Sequence, residues 1–410
     1  MQMNEPKLRF KADNGGKFPD WEEKKLSSLM SFKNGINASG DKFGSGTKCI
    51  SVMDILNNPH LTYEVIKGSV DVDEMTLQTF KVEYGDAVFQ RSSENVQDAG
   101  RANVYMDKKR PATFSGFVIR GKRIKNYNPM YMNTILNTFG VRKQIMRKAQ
   151  GAQHINIGQE ILSSVIVNMA SLPEQQKIAG FISTIDTVIE KQKATVEAWE
   201  ERKKGVMQKL FSQEVRFKAD DGSEFPDWEE KKLKSILKEY KDVSVKDGTY
   251  EHVSLTKEGV VPKSERYERD FLVKDLDKKY RVTHWGDICY NPANLKFGVI
   301  CRNKYGDGIF SPIYVTFRVV NGVISEFIEM LVTRQDFIQY ALRYQQGTVY
   351  ERMSVSPEDL LSIKVCIPCI PEQQKIADCL SSLDDVIEKQ KATLVAWEEM
   401  KKGLLQQMCA

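Results

Sequence analysis

A chain of 410 residues, 41% hydrophobic and 28% charged, is long enough for two or three packed domains. It has no run of eighteen apolar residues, and its N-terminus, MQMNEPKLRFKADNGGKF, lacks the apolar core of a leader, so neither a membrane span nor secretion is expected and a cytoplasmic location is. The net charge of +5 names no partner by itself, and seven scattered cysteines (Cys49, Cys289, Cys301, Cys366, Cys369, Cys379, Cys409) read as free thiols of a reducing compartment.

In chain order the first feature is a block, KLRFKADNGGKFPDWEEKKL at 7–26, which returns as EVRFKADDGSEFPDWEEKKL at 214–233. Its Phe-Pro-Asp-Trp-Glu corner is expected to bury Trp21 and Trp228 beneath helix ends. The segment that follows, 27–171, reads as mixed α and β. A Gly-Asp turn enters a strand at Tyr84 to Phe89, a second strand is expected over Phe114–Ile119, and a helix near Met130 to Lys148. A glycine turn at Gly151 to His154 and an apolar strand at Ser164 to Val167 close it. From Arg101 to Gln150 twelve Lys or Arg face a single acid, Asp107, a balance that attracts a polyanion.

Next comes PEQQKIAGFISTIDTVIEKQKATVEAWEERKKGVMQKL, from Pro173 to Leu210. Ile178, Ile182, Ile185, Ile189, Gln192, Val196 and Trp199 recur at alternating steps of four and three, the spacing of a coiled-coil seam, continued by Lys203, Val206 and Leu210. About 36 helical residues at ~1.5 Å each predict a rod of roughly 55 Å. After the second copy of the block, 234–369 repeats the order of elements with different residues. It has a Gly-Asp strand at Trp285 to Tyr290, a strand at Ile313 to Val320, a helix near Glu326 to Tyr344, a turn at Gly347 to Tyr350 and a strand at Ser362 to Val365. The helix then returns from Pro371 with two-thirds of its positions identical, its seam Ile376, Leu380, Leu383, Ile387, Gln390, Leu394 and Trp397, then Lys401, Leu404 and Met408.

The two repeats have different offsets, 207 residues for the block and 198 for the helix, and their phase would close two equal units into a ring. The predicted fold is therefore α+β: two mixed α/β domains separated by two long helices that pair as an antiparallel coiled coil in a pseudo-twofold repeat. The expected boundaries are 1–171, 172–213, 214–369 and 370–410. Gln192 with Gln390, and Lys203 with Lys401, place polar groups in the seam, where they fix register or orientation.

Two unlike segments alternating with two like helices that begin L/I-P-E-Q-Q-K-I-A, at Leu172 to Ala179 and Ile370 to Ala377, resemble the specificity subunit of type I restriction–modification systems over essentially the whole chain. The resemblance implies two target-recognition domains, each reading one half of an asymmetric, split site in double-stranded DNA, with the helices as a ruler. It also implies partners: two methyltransferase subunits that use S-adenosylmethionine, and two restriction subunits that use ATP and magnesium. This chain itself would hold no cofactor and catalyse nothing.

Motif tests agree with a non-catalytic chain. Gly116 to Arg123 nearly matches a P-loop but lacks the Ser or Thr that holds magnesium, and its inner residues are strand-like. Asn128-Pro129-Met130-Tyr131 and Asn291-Pro292-Ala293-Asn294 break the amino-methyltransferase pattern and read as turns. Asp20, Glu22 and Glu23 are nearly contiguous, unlike a magnesium site. Cys366 and Cys369 lack a second pair, and His60, His154, His252 and His284 lack ligand spacing.

Phosphate contacts need cations, whereas reading bases needs donors and acceptors on loops that enter a groove. In the first domain the phosphate candidates are Lys108, Lys109, Arg110, Arg120, Lys122, Arg123, Lys125, Arg142, Lys143, Arg147 and Lys148. The base-reading candidates there are Arg91, Ser92, Ser93, Gln150, Gln153 and His154. In the second domain the candidates are Lys278, Lys279, Tyr280, Arg281, Asn291, Asn294, Lys296, Arg302, Lys304, Tyr305, Arg343, Tyr344, Gln345 and Gln346. The competing reading is a coiled-coil adaptor whose globular ends bind proteins.

Overall fold

The computed structural model describes residues 6–149, 155–245, 248–263, 279–320, 322–347 and 353–409. It is a mixed helix-and-sheet protein that divides into two units, Met1–Thr195 with Gln390–Ala410, and Val196–Lys389.

In chain order the first unit contributes β1 (Glu22–Lys25), β2 (Met30–Asn34), β3 (Ala87–Gln90), β4 (Ser92–Ser93), β5 (Ala102–Val104), β6 (Val118–Arg123), α1 (Pro129–Leu136), α2 (Phe139–Lys148), β7 (Ile155–Asn156), β8 (Ile166–Met169) and the first part of α3 (Leu172–Phe211). Strands β2, β6, β3 and β5 form one antiparallel sheet in that order, with Met30 opposite Arg123 and Ala87 opposite Gly121. Gly121 has a steric reason: a Cβ there would meet Met30 Sδ at 2.4 Å. Gly85, at φ +89°, makes the turn into β3 that a side chain would strain. The single helix expected over Met130–Lys148 is two. Asn128 caps α1 by accepting from the Tyr131 amide at 3.1 Å, and Asn137 ends it by turning its amide onto Ala102 O at 2.9 Å. Trp21, Leu26, Phe89, Tyr131 and Ile178 share the core.

The second unit contributes the rest of α3, then β9 (Glu229–Lys232), β10 (Leu237–Glu239), β11 (Ile288–Tyr290), β12 (Ile300–Arg302), β13 (Val315–Val319), α4 (Ser325–Val332), α5 (Gln335–Ala341), β14 (Lys364–Ile367) and the first part of α6 (Ile370–Met408). The sheet order β10, β13, β11, β12 and its register, Leu237 opposite Val319 and Ile288 opposite Phe317, match the first unit's β2, β6, β3 and β5. A further five-stranded sheet includes Tyr280–Thr283 and Gly308–Phe310. The expected helix over Glu326–Tyr344 is again broken, here at Thr333 and Arg334.

Each unit pins its repeated block to a helix start through one buried glutamate. Arg9 donates to both Glu174 oxygens at 3.0 and 2.9 Å, and Trp21 Nε1 donates to the second at 3.0 Å. Arg216, Trp228 and Glu372 repeat this joint at 3.0, 2.8 and 3.1 Å. Beside it β1 pairs with β8 and β9 with β14, both antiparallel.

The long helices also meet inside each unit. In the first, Gln192 Nε2 donates to Gln390 Oε1 at 2.8 Å, Lys193 pairs with Glu398 at 3.5 Å, and Lys401 bonds Asp186. In the second, Lys203 bonds Asp384. The predicted seam positions from Ile178 to Trp199 and from Ile376 to Trp397 are all buried or half-buried.

Candidate nucleic-acid interface

The Gly-Asp turn places β3 so that the chain leaving it meets the segment before β8. The Ile157 amide donates to Arg91 O at 2.9 Å, β4 pairs with β7, and Ser92 Oγ donates to Asn156 Oδ1 at 2.5 Å. Arg91 is half-buried, with its guanidinium 3.3 Å from Gly116 O. Gln150, Gln153 and His154 lie outside the described residues. In the second unit the same frame recurs as Val355 N donating to Pro292 O at 3.2 Å.

The cations of the first unit separate by burial. Lys108, Lys109, Lys125, Lys143, Arg147 and Lys148 are exposed and Lys122 half-exposed. Arg110, though exposed, is held by Glu64 at 2.7 Å and Asp107 at 3.2 Å over the Tyr63 ring. Lys148 donates to Ser164 Oγ at 2.7 Å. Arg120 and Arg142 are not surface cations. Arg142 is 8% exposed and donates to Gln97 O and Ala99 O at 2.7 and 2.8 Å. Burial, with Arg101 nearby, pushes its pKa down to about 10. Arg120, 6% exposed, bonds Lys81 O, and burial again lowers its pKa. A basic run counted along the sequence does not distinguish these buried braces from free cations. Arg123 is folded back, its guanidinium donating to Tyr127 O at 2.7 Å and lying over the Tyr127 ring.

In the second unit Lys278 falls outside the described residues, while Lys279, Lys296, Lys304 and Arg343 are exposed. Tyr280 is buried against His252, and Arg281 donates to Tyr240 O at 3.0 Å. Asn291, 5% exposed, uses its Oδ1 to accept from the Ala293 and Asn294 amides, so it builds its own turn instead of presenting an amide to a base edge. Asn294 is half-buried. Arg302 is buried between Glu326 at 2.8 Å and Glu329 at 3.2 Å, and Lys304 shares Glu329 at 2.9 Å. Tyr305 OH bonds Glu251, Gln346 donates to Asp359 at 2.9 Å, and Arg343, Tyr340 and Tyr344 form one cluster with Gln345 half-buried beside it. The shared register assigns Arg318 to the place of Lys122, exposed and 4.7 Å from the Tyr240 ring centre. The sequence reading passed over Arg318 because it stands alone in an apolar strand.

Among the described residues no group of three or more His, Cys, Asp or Glu could hold a metal ion, and no helix is long and apolar enough to cross a membrane. The geometry defines an α+β protein with exposed cations and loop-borne polar groups in both units. No family model matches the chain. It is 25% identical over 441 residues, covering 97% of this chain and 94% of the relative, to a Methanocaldococcus jannaschii protein named as the MjaX type I restriction enzyme specificity subunit. It is 26% identical over 291 residues to the MjaVIII specificity subunit of the same organism, covering 63% of this chain and 64% of the relative. A solved specificity subunit from M. genitalium shares the fold at a TM-score of 0.52 and 15% identity, with 99% of both chains covered. A chain from a structure of type I restriction–modification complex assembly and conformational transition does so at 0.53 and 11%, with 96% and 98% covered. The chain is thus similar over nearly its whole length to type I restriction enzyme specificity subunits, the family that its sequence motifs resemble.

Proposed function

We propose that this chain is the sequence-specific DNA-binding specificity subunit of a type I restriction–modification complex and is itself non-catalytic. Its two domains, 27–171 and 234–369 with their blocks, each read one half of an asymmetric bipartite site. The observation that carries this reading is the common frame with unlike side chains. In both units the Gly-Asp strand hands its chain to the pre-helix segment, through Arg91 O and Ile157 N or Pro292 O and Val355 N. The groups around that junction differ: Arg91, Ser92 and Ser93 in one, Asn294 and Lys296 in the other.

The helices form an antiparallel coiled coil in a pseudo-twofold repeat. This is supported by the pairings Gln192–Gln390, Asp186–Lys401 and Lys203–Asp384, and by the two equivalent Arg–Glu–Trp joints. A helix of 40 residues is about 60 Å long, enough to hold half-sites about one helical turn apart. Two methyltransferase subunits using S-adenosylmethionine and two restriction subunits using ATP and magnesium complete the complex, in the cytoplasm. Methylation mapping in cells that express the chain with its partners tests the reading. One interrupted, asymmetric motif is expected; a contiguous motif, or none, overturns it.

A further inference from the structure

The shared register makes an internal comparison possible at the Gly-Asp turns. Arg123 and Val319 hold the same place, opposite Met30 and Leu237, and five residues later the Asn128 and Ile324 amides donate to Gln175 and Gln373 Oε1, each at 2.9 Å. Between those anchors Arg123 corresponds to Val319, Asn126 to Gly322 and Tyr127 to Val323. In the first unit the space beside the turn is full. Arg123 Cδ and Nη1 both lie 3.0 Å from where a Gly85 Cβ would stand, and Tyr127 OH donates to Gly85 O at 2.8 Å. In the second unit nothing approaches the same point on Gly286 within 4 Å. The room left by the three smaller residues is an open pocket of about 490 Å³, walled by Trp285, Asp287, Arg318, Val319 and Val323.

We infer that this pocket binds an arginine side chain presented by another protein, in the place that Arg123 fills from within the first unit. The walls suit a guanidinium. Asp287 is 3% exposed; its Oδ2 accepts from the His284 amide at 2.6 Å and from Tyr240 OH, whereas no donor reaches its Oδ1 among the described residues. Trp285 is 62% exposed at the mouth, and the Arg302 guanidinium already lies 5.8 Å from its ring centre, so this indole is one that accepts a guanidinium against it. Arg318 shares the pocket wall, so a cationic guest meets one like charge there beside the Asp287 carboxylate. Lysine is a poorer fit, lacking the planar fork that meets a carboxylate and stacks on a ring.

The inference does not depend on DNA binding, and its test avoids DNA. The whole chain is labelled with 5-fluorotryptophan, giving one signal for each of five tryptophans, and Trp285→Phe assigns its own. Titration with N-acetyl-argininamide should shift the Trp285 signal saturably, with binding about tenfold tighter than that of N-acetyl-lysinamide. Val319→Arg, which refills the pocket as in the first unit, should abolish the shift, and Asp287→Asn should weaken it about tenfold. Val323→Tyr fills the same space from the other wall and stands in if Val319→Arg does not fold. Equal response to the lysine probe, a shift spread over all five signals, or unchanged binding in the refilled variants overturns the inference.

Discussion

Replacing Glu174 with alanine tests how far the repeated block depends on one buried carboxylate. The change leaves the Arg9 guanidinium, 18% exposed at the side chain, without either of its bonds to Glu174, and strands the buried Trp21 Nε1. Truncating one member of a buried ion pair costs about 3–5 kcal/mol, and the partial exposure of Arg9 argues for the lower end, about 3. That should lower the melting temperature of the first unit by roughly 6–12 °C. Hydrogen exchange read by mass spectrometry locates the loss: peptides from residues 7–25 should exchange faster while those from 214–232 stay as in the parent. Glu372→Ala should give the reverse pattern, because Arg216 and Trp228 bond Glu372 at nearly the same distances. A melting shift under about 2 °C, or faster exchange in both blocks from either change, refutes the assignment of the joint.

Four other outcomes are expected. Lys122→Ala should weaken binding to all DNA sequences and reduce the slope of log affinity against log salt by about 0.9, as one phosphate contact would; loss at one base position only would make Lys122 a reader. Arg142→Ala should instead destabilise the first unit by about 1–3 kcal/mol in urea unfolding, since Gln97 O and Ala99 O lose their donor. Gly35→Ala would set a Cβ 2.1 Å from Ser115 O, a backbone atom that cannot swing aside, so soluble yield or Tm should fall well beyond the effect of Gly180→Ala on the exposed helix face. His60, beside Asp186 and near Lys401 and Glu190, has its pKa lowered, chiefly by burial. A lowered histidine pKa means the unfolded chain takes the proton first. The stability is therefore present above about pH 6.5 and is lost as pH falls toward the folded value, and His60→Gln should flatten that part of the curve.

The long helices were legible because their signal is local and repeated: a period of four and three steps needs no tertiary knowledge, and the seam residues are buried or half-buried as the period required. The Gly-Asp strands were legible for a similar reason, since a φ of +89° at Gly85 and +88° at Gly286 leaves glycine as the residue without strain. The helix breaks at Asn137 and at Thr333–Arg334 were not: the first depends on a side chain reaching the distant Ala102 O, and the second is held by Thr333 on Glu329 O and Arg334 on Asp336, residues that suit a continuous helix equally well. The candidate interface was read least well. Arg120, Arg142 and Arg302 look like surface charge until backbone carbonyls or helix glutamates enclose them, and Asn291 looks like an available amide until its own turn occupies it. Sequence counts charges; only packing says which of them water can reach.

The Pro-Glu-Gln-Gln start of each long helix has a consequence for exchange between chains. Its glutamate grips the repeated block, while the second glutamine grips the variable segment through a main-chain amide, Asn128 N in one unit and Ile324 N in the other. The same side chain's Nε2 returns to the backbone at Ala170 O or Pro368 O, each at 2.8 Å. These glutamine bonds to the variable segment all go to backbone, so they hold whatever side chains that segment carries.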